Sequence, residues 1–449
     1  MNPEIFREYD IRGIVDRDIT DDDVILIGKG IGTYLRRENR SQITLGRDCR
    51  LSSGHYRDLL LEGILATGCS VVDIGVCPTP ALYFSIRYLN KEGGVMITAS
   101  HNPPEYNGFK VCSGVDTIYG SKIQAIREIV EKKEFVEGKG RVEEVDVLTP
   151  YKEFLVDNTL IKRPIRLAID AGNGTSGEVA LPVLKELGCE VFALYCEMDG
   201  SFPNHEPDPT VIENMKDLIE IVRKENLEVG FGYDGDGDRI GVIDENGNII
   251  WGDQLMIIFA REILSRKPGS TFISEVKCSQ NLFEDIEKHG GKAIMWRTGH
   301  SLIKKKMKEV GAELAGEMSG HMFFADRYFG YDDAIYASCR LLEILAVSEK
   351  GLSELLSDVP KTYTTPEIRV PCPDDQKFDV VKRATEYFQK RYKTIEVDGV
   401  RVIFEDGWGL VRASNTQPVL VLRFEARSEK RLEEIRAHVE SVLAEIQWG

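Results

Sequence analysis

The sequence predicts an α/β protein: three similar α/β domains with mixed or parallel sheets, followed by a smaller C-terminal α+β domain. Three observations carry this expectation. Short β-branched runs, Gly- or Asp-containing turns and amphipathic helical stretches alternate along most of the chain, as parallel strands with crossover helices require. The alternation starts afresh twice, so three units share a layout without sharing residue identities. The final part breaks the rhythm and runs helix, strands, helix. At 449 residues the chain is also too long for a single hydrophobic core.

Taken in order, residues 43–45 predict a strand, Gly46 and Asp48 mark the turn after it, and 55–67 has helical spacing that ends at Gly68. Residues 70–74 and 94–98 are the next strands. The second unit predicts a strand over 166–170, a helix over 177–187 stopped by Gly188, and a strand over 190–195. In the third, strands over 270–274 and 292–296 flank a helix over 278–288 that Gly290 and Gly291 end. Residues 366–373 are charged and carry Pro366, Pro371 and Pro373, which reads as a linker. Beyond it come a helix over 378–391, strands over 400–404, 408–413 and 419–426, and a last helix after Ser428. The expected domains are 1–150, 151–250, 251–366 and 367–449.

Composition narrows the function. The chain is 42% hydrophobic and 29% charged, with no low-complexity tract, as in an ordinary soluble protein. A formal net charge of −17 argues against a broad nucleic-acid or anionic-membrane surface. An anionic small molecule would need cations gathered locally against that background. Nine cysteines form no C-x-x-C pair, and Cys49, Cys69, Cys77 and Cys112 lie in or beside apolar runs. Reduced, buried thiols and a cytoplasmic location are expected. The first ten residues lack an apolar signal-peptide core, and no run of 18 apolar residues predicts a membrane span.

Four polar segments stand out from ordinary loops. Thr98-Ala99-Ser100-His101-Asn102-Pro103-Pro104 follows directly on a strand, where open α/β sheets place their ligands. His101 could orient Ser100 or bind an anion, and Lys110 follows ten residues on. The bland alternative is an N-cap serine in a turn stopped by proline. Asp234-Gly235-Asp236-Gly237-Asp238-Arg239 sets three carboxylates at alternate positions, which can fold round one hard cation such as Mg²⁺ or Ca²⁺. An EF-hand is rejected: Arg239 stands where that loop needs Gly, and both flanks read as strands.

Gly316-Glu317-Met318-Ser319-Gly320-His321 alternates a carboxylate, a hydroxyl and an imidazole. Extended, it would face all three one way, as sugar hydroxyls would want, though a solvated edge strand explains it almost as well. Arg412-Ala413-Ser414-Asn415-Thr416-Gln417-Pro418, with Arg423 beyond, is expected to be a phosphate-sized group of donors with no nearby acid. A plain polar hairpin turn is its alternative. One further segment competes: 170–177 fits G-x-G-x-x-G between a strand and a helix, with Glu197 twenty residues after Gly177. A dinucleotide reading of it would leave the other four segments unexplained.

Nucleophilic hydroxyl, divalent metal, sugar-like face and remote phosphate clamp fall one in each region of the chain. Residues 6–13 (Phe-Arg-Glu-Tyr-Asp-Ile-Arg-Gly), 98–103, 234–239, Gly299-His300, 317–321 and 412–418, in this order, resemble the α-D-phosphohexomutase family, phosphomannomutase/phosphoglucomutase branch. The resemblance covers nearly the whole length. It implies four domains around a central active-site cleft and reversible phosphoryl transfer between C1 and C6 of a hexose phosphate, mannose or glucose. It implies a phosphoserine at Ser100 and a 1,6-bisphosphate intermediate, with glucose or mannose 1,6-bisphosphate as activator. Mg²⁺ would be held by Asp234, Asp236, Asp238 and an oxygen on Ser100.

By the same resemblance Arg12 and Lys110 contact the transferring phosphate, and Arg239 lies beside the sugar or its phosphate. Glu317 and Ser319 hold O3 and O4, while Arg412, Ser414, Asn415 and Thr416 grip the phosphate that is not reacting. Tyr9, His300 and His321 belong near the site, His300 as proton carrier, with His101 beside the serine. Glucosamine and pentose phosphates are alternative substrates. From other classes, a metal-dependent sugar phosphatase would need no reversible clamp. A silent sugar-phosphate sensor would have lost Ser100, Lys110 or a metal-loop aspartate, all of which are present.

Overall fold

The computed structural model describes residues 1–415 and 417–448 and, for Gln447 and Trp448, the backbone alone. The first sheet orders its strands Ile11–Ile14, Tyr106–Ser113, Gly93–Ile97, Gln42–Arg47, Ser70–Val76, Val142–Glu144. Its last four run parallel, and Tyr106–Ser113 turns back antiparallel on Gly93–Ile97. In the second sheet Val229–Tyr233, Arg166–Asp170 and Glu190–Leu194 are parallel, and Ile240–Asp244 returns antiparallel beside Val229–Tyr233. In the third, Lys292–Trp296, Thr271–Glu275 and Leu314–Gly316 are parallel and Met322–Phe324 is the antiparallel return. Three times, then, a parallel strand ends in a turn that folds back as a hairpin. Those turns are 98–105, 234–239 and 317–321, three of the four polar segments.

The C-terminal sheet is antiparallel throughout, in the order Tyr363–Thr364, Val419–Ala426, Gly407–Ala413, Val400–Phe404, Lys393–Ile395. Helices Lys377–Phe388 and Glu429–Trp448 cover it. The expected linker at 366–373 instead contains a strand, Ile368–Pro371, paired with Val419–Ala426. Proline is compatible with this because the strand lies at the sheet edge, where one ladder donor is dispensable.

Local signals explain the helix ends. Asp21–Arg37 starts at a capping box in which Thr20 accepts from Asp23 N and Asp23 accepts from Thr20 N at 3.1 Å. Three aspartates fill its first turn and two arginines its last, matching the helix dipole. One continuous apolar core, including Met96, Leu167, Phe231, Phe259 and Leu341, runs through the three α/β layers. The C-terminal unit has a core of its own, around Val380, Leu422, Phe424 and Val439. All nine cysteines are free thiols; Cys69, Cys77 and Cys112 are buried, whereas Cys49 is half-buried, donating to Asn173 O at 3.4 Å. No helix among the described residues is long and apolar enough to cross a membrane.

Candidate active site

Ser100 occupies the left-handed region at φ 51° and is nearly buried. Its amide donates to Thr98 Oγ1 at 2.8 Å, and its hydroxyl donates to Asp234 Oδ2 at 2.6 Å. The serine turn and the aspartate turn meet backbone to backbone, since a Cβ on Gly235 would lie 2.5 Å from Ser100 O. Glycine is required there by close approach rather than by backbone angle. The His101 Nδ1 lies 3.1 Å from Ser100 Oγ. Burial, with Arg239 and Arg12 close by, holds the His101 imidazole well below its usual range and so neutral near pH 7.

Asp234, Asp236 and Asp238 are all buried, and one oxygen from each lies within 4.8 Å of the others. Burial and the two neighbouring carboxylates push Asp234 well above the ordinary carboxylate range. Burial acts the same way on Asp236, but Lys110 and Thr79 outweigh it and hold that group low. The Lys110 ammonium bridges Asp236 Oδ2 at 2.7 Å and Asp238 Oδ2 at 2.5 Å. Asp236 Oδ1 and Asp238 Oδ1 have no hydrogen-bond partner among the described residues. Three buried carboxylates with two unsatisfied oxygens are the donor set of a hard divalent cation, and the cluster fits such a metal.

A second group of turns faces this one. Arg239 Nε donates to His321 Nε2 at 3.0 Å, and His321 Nδ1 lies 3.1 Å from Asp332 Oδ2. His300 starts the helix His300–Val310, its Nδ1 3.9 Å from Asp332; burial and Lys304 keep its imidazole well below the usual range. Glu317 Oε1 accepts from Gly299 N at 2.7 Å. The segment 317–321 is a turn, not the extended run expected, closed by Gly320 N donating to Glu317 O at 3.0 Å with Gly320 at φ 93°. A Cβ on Gly320 would strike Ile240 O at 2.2 Å, so packing against the aspartate hairpin bends this segment. Glu317 and His321 are buried and Ser319 half-buried.

Arg12, on the strand Ile11–Ile14, donates to Asn102 Oδ1 at 2.5 Å and pairs with Asp10 at 2.5 Å. Tyr9 joins three parts of the chain. Its hydroxyl donates to Thr298 O at 2.9 Å and accepts from Asn415 Nδ2 at 2.9 Å, and its ring centroid is 5.8 Å from that of His300. Arg412 lies on Gly407–Ala413 next to the fourth turn. Contrary to the sequence reading, an acid is close: Asp398 Oδ2 accepts from Arg412 Nε at 2.9 Å and from Thr298 N at 3.1 Å. Asp398 is 14 residues earlier and reaches Arg412 only because the sheet folds. Ser414 Oγ accepts from Gln417 N at 3.2 Å; Thr416 lies outside the described residues. Ser100, His101, Lys110, the three aspartates, Arg239, Glu317, His321, His300, Tyr9, Asn415, Arg412 and, by way of Asn102, Arg12 are brought together by the contacts above.

Some members carry no motif. Asp332 links His321, His300 and Lys304, and Glu275, fully buried, accepts from Lys277 N, Thr298 Oγ1 and Met318 N. Thr79 donates to Asp236 Oδ2 at 2.6 Å from the start of helix Thr79–Tyr88. The glycine turn 170–177 is filled by the chain itself: a Cβ on Gly174 would lie 2.6 Å from Gly235 O, and one on Gly177 2.3 Å from Cys196 O. It packs the helix and the aspartate turn.

Comparison with known proteins agrees with this geometry. Four family models match in chain order: Phosphoglucomutase/phosphomannomutase alpha/beta/alpha domain I at residues 3–137, domain II at 149–247, domain III at 251–363 and the C-terminal domain at 367–442. A phosphomannomutase/phosphoglucomutase from Pseudomonas aeruginosa is 47% identical over 435 residues, covering 96% of this chain and 94% of that one. A phosphoglucomutase from Neisseria gonorrhoeae is 45% identical, with 98% and 96% covered. The crystal structure of a phosphoglucomutase/phosphomannomutase family protein from Burkholderia thailandensis superposes with a TM-score of 0.95 at 39% identity, covering 100% of this chain and 99% of that one.

Proposed function

This chain belongs to the phosphoglucomutase/phosphomannomutase family, the α-D-phosphohexomutases, and we propose that it moves phosphate between C1 and C6 of glucose or mannose through a phosphoserine at Ser100. It is a hexose-phosphate mutase, as are the relatives it matches along nearly their full length. The observation that carries the residue assignment is the contact of Ser100 with the buried aspartate cluster, at 2.6 Å. We assign the chain to domains 1–150, 151–250, 251–366 and 367–449, each giving one turn to the site. Nine free thiols support a reducing compartment, the cytoplasm.

Asp234, Asp236 and Asp238, with an oxygen on Ser100, would hold Mg²⁺. When bound, it would neutralise charge on the serine phosphate. Arg12 and Lys110 supply further positive charge to the transferring group, and phosphoryl transfer needs such positioning more than covalent help. Held orientation can lower the barrier by about 7–11 kcal/mol. In the forward half-reaction the bond from Ser100 Oγ to phosphorus breaks as a sugar hydroxyl bonds to phosphorus. The hydroxyl proton passes to a base, for which the neutral His300 is suited, and Ser100 Oγ takes up a proton as it leaves phosphorus.

The resulting 1,6-bisphosphate turns over, and Ser100 Oγ bonds to its other phosphorus, giving up a proton that His101 is placed to take, as the bond from that phosphorus to the sugar oxygen breaks and the oxygen takes up a proton. Glu317 and Ser319 would hold O3 and O4, which survive that turn, with Arg239 and His321 beside the sugar. Arg412, Ser414, Asn415 and Thr416 would accept either phosphate, with Tyr9 fixing Asn415. A 1,6-bisphosphate of glucose or mannose is the activator that charges Ser100.

The test is conversion of glucose 1-phosphate and of mannose 1-phosphate to the 6-phosphates, with Mg²⁺ and a trace of glucose 1,6-bisphosphate. Ser100→Ala should lower turnover at least about 1,000-fold. Turnover of only ribose or glucosamine phosphates would keep the mechanism and change the substrate. Release of inorganic phosphate alone, or undiminished activity in Ser100→Ala, would sink it.

A further inference from the structure

We propose that Arg50 is a positioning residue for phosphoryl transfer: its one guanidinium templates the turn that presents Ser100. This rests on the mutase reading of Ser100. The Arg50 side chain is fully buried, and a guanidinium has five N–H donors in a rigid planar fork. All five are used. Nε donates to Asp48 Oδ2 at 3.1 Å. Nη1 donates to Pro103 O at 2.6 Å and Tyr106 O at 3.1 Å. Nη2 donates to Ser100 O at 2.8 Å and Asn102 O at 2.5 Å.

Four of those acceptors are backbone carbonyls between residues 100 and 106, so the turn is wrapped around the guanidinium. Buried carbonyls that converge without a donor would open the turn. Ser100 is the turn's strained point, because left-handed backbone at φ 51° is unfavourable for a non-glycine residue. Gripping Ser100 O fixes the peptide that follows the serine and, with it, the direction of Oγ toward Asp234.

The template is itself anchored. Asp48 accepts from Arg50 N at 3.0 Å and from Ser53 Oγ at 2.5 Å, and its amide donates to Ile97 O at 2.9 Å, on the strand that leads into the turn. On the far side the ring of Phe202 lies 5.1 Å from the guanidinium carbon. The chain after Phe202 reaches Pro207, which packs on Gly235 of the aspartate turn. Arg50 thus registers the nucleophile's turn against the metal's turn while touching no reacting atom. Lysine, with three donors at one point, cannot span four carbonyls.

The test uses the full chain, Mg²⁺, glucose 1,6-bisphosphate and glucose 1-phosphate, comparing wild type with Arg50→Lys and Arg50→Ala. Turnover, KM, thermal midpoint and phosphate on Ser100 by mass spectrometry are read together. Both variants should lose about 100-fold in kcat, with KM within about threefold. Millimolar guanidinium should restore turnover to Arg50→Ala and leave Arg50→Lys unchanged. If Arg50→Ala does not fold, Arg50→Lys decides alone, by its kcat.

An unchanged kcat in folded variants overturns the proposal. So does a rise in KM alone, or a kcat loss that guanidinium does not rescue and that tracks the thermal midpoint. A wild type that converts no sugar phosphate would instead sink the mutase reading, so the two failures are distinguishable.

Discussion

At Asp332 a wholly buried carboxylate stands 3.0 Å from the Lys304 ammonium and 3.1 Å from His321 Nδ1. Burial pushes this carboxyl up, but Lys304 and the two histidines outweigh it and hold it well below the usual range. Arginine can only donate, so His321 Nε2 accepts from Arg239 and the imidazole proton sits on Nδ1, which lies 3.1 Å from Asp332 Oδ2 without the alignment of a hydrogen bond. Replacing the Asp332 carboxylate by amide leaves Lys304 buried without its counter-charge. Asp332→Asn should cost about 3–5 kcal/mol in chemical denaturation, together with a drop in turnover. A loss below about 1 kcal/mol would show that Lys304 finds another anion. Nothing in the sequence marks Asp332, because the adjacent Asp333 caps the helix Ala334–Val347 and makes the pair look like a helix start.

Between elements, close backbone contact does what side chains do elsewhere. The turn that joins Arg166–Asp170 to helix Gly177–Glu186 matches a dinucleotide fingerprint, yet its glycines are spaced for protein. Gly172, at φ 52°, accommodates Pro207, and Gly174 lets the aspartate turn approach. No positive φ is needed at Gly174, so alanine there is a steric change: its Cβ would push on Gly235 O at 2.6 Å. Gly174→Ala should weaken Mg²⁺ binding about tenfold or more in calorimetric titration, with a small change in thermal midpoint. Unaltered affinity would mean that the aspartate turn is not held by this contact. The hairpin at 317–321 carries the same lesson, since its alternating polar residues read as a strand until the neighbouring hairpin forces the bend at Gly320.

Over the whole molecule, one apolar core runs through the three α/β units, the first of which has a second core of its own, while the C-terminal sheet docks through an apolar contact of Val276 with Trp408 and Leu410 and through polar contacts. Arg401 donates to Val276 O and Cys278 O at 2.8 Å each, and stacks 3.7 Å from the Trp408 ring. Lys277 pairs with Glu367 at 2.6 Å, across the step into the C-terminal sheet. Burial raises the Glu367 carboxyl, but Lys277, then Arg369 and Arg423, overcome it and bring it down to about 2. A depressed carboxyl stabilises above its unfolded value, near 4.5, and loses that contribution as pH falls toward 2. Calorimetry should show the C-terminal unit weakening in that window, and Glu367→Gln should flatten the dependence there while lowering stability at pH 7. An identical acid profile in the variant would remove the bridge from the docking. A separate core with a small dock would suit the proposed phosphate clamp, which would open for the bisphosphate to turn.

The alternation of strands and helices, the break in rhythm at the C-terminal part, and three of the four polar turns were legible from residue pattern, because local backbone preference and amphipathic spacing act over a few neighbours. The proposed nucleophile Ser100 and the three aspartates that would hold a metal were legible for a related reason: each lies in one short run of adjacent residues. The strand in 368–371, the bend at 317–321, the acid beside Arg412, and the roles of Arg50, Asp332, Glu275 and Thr79 were decided by the tertiary structure alone. Each depends on a partner brought in by the fold, 14 residues away for Asp398 and Arg412 and 157 for Thr79 and Asp236. Charge balance and hydrogen-bond satisfaction in a buried site are properties of what meets there, and chain order does not encode the meeting directly.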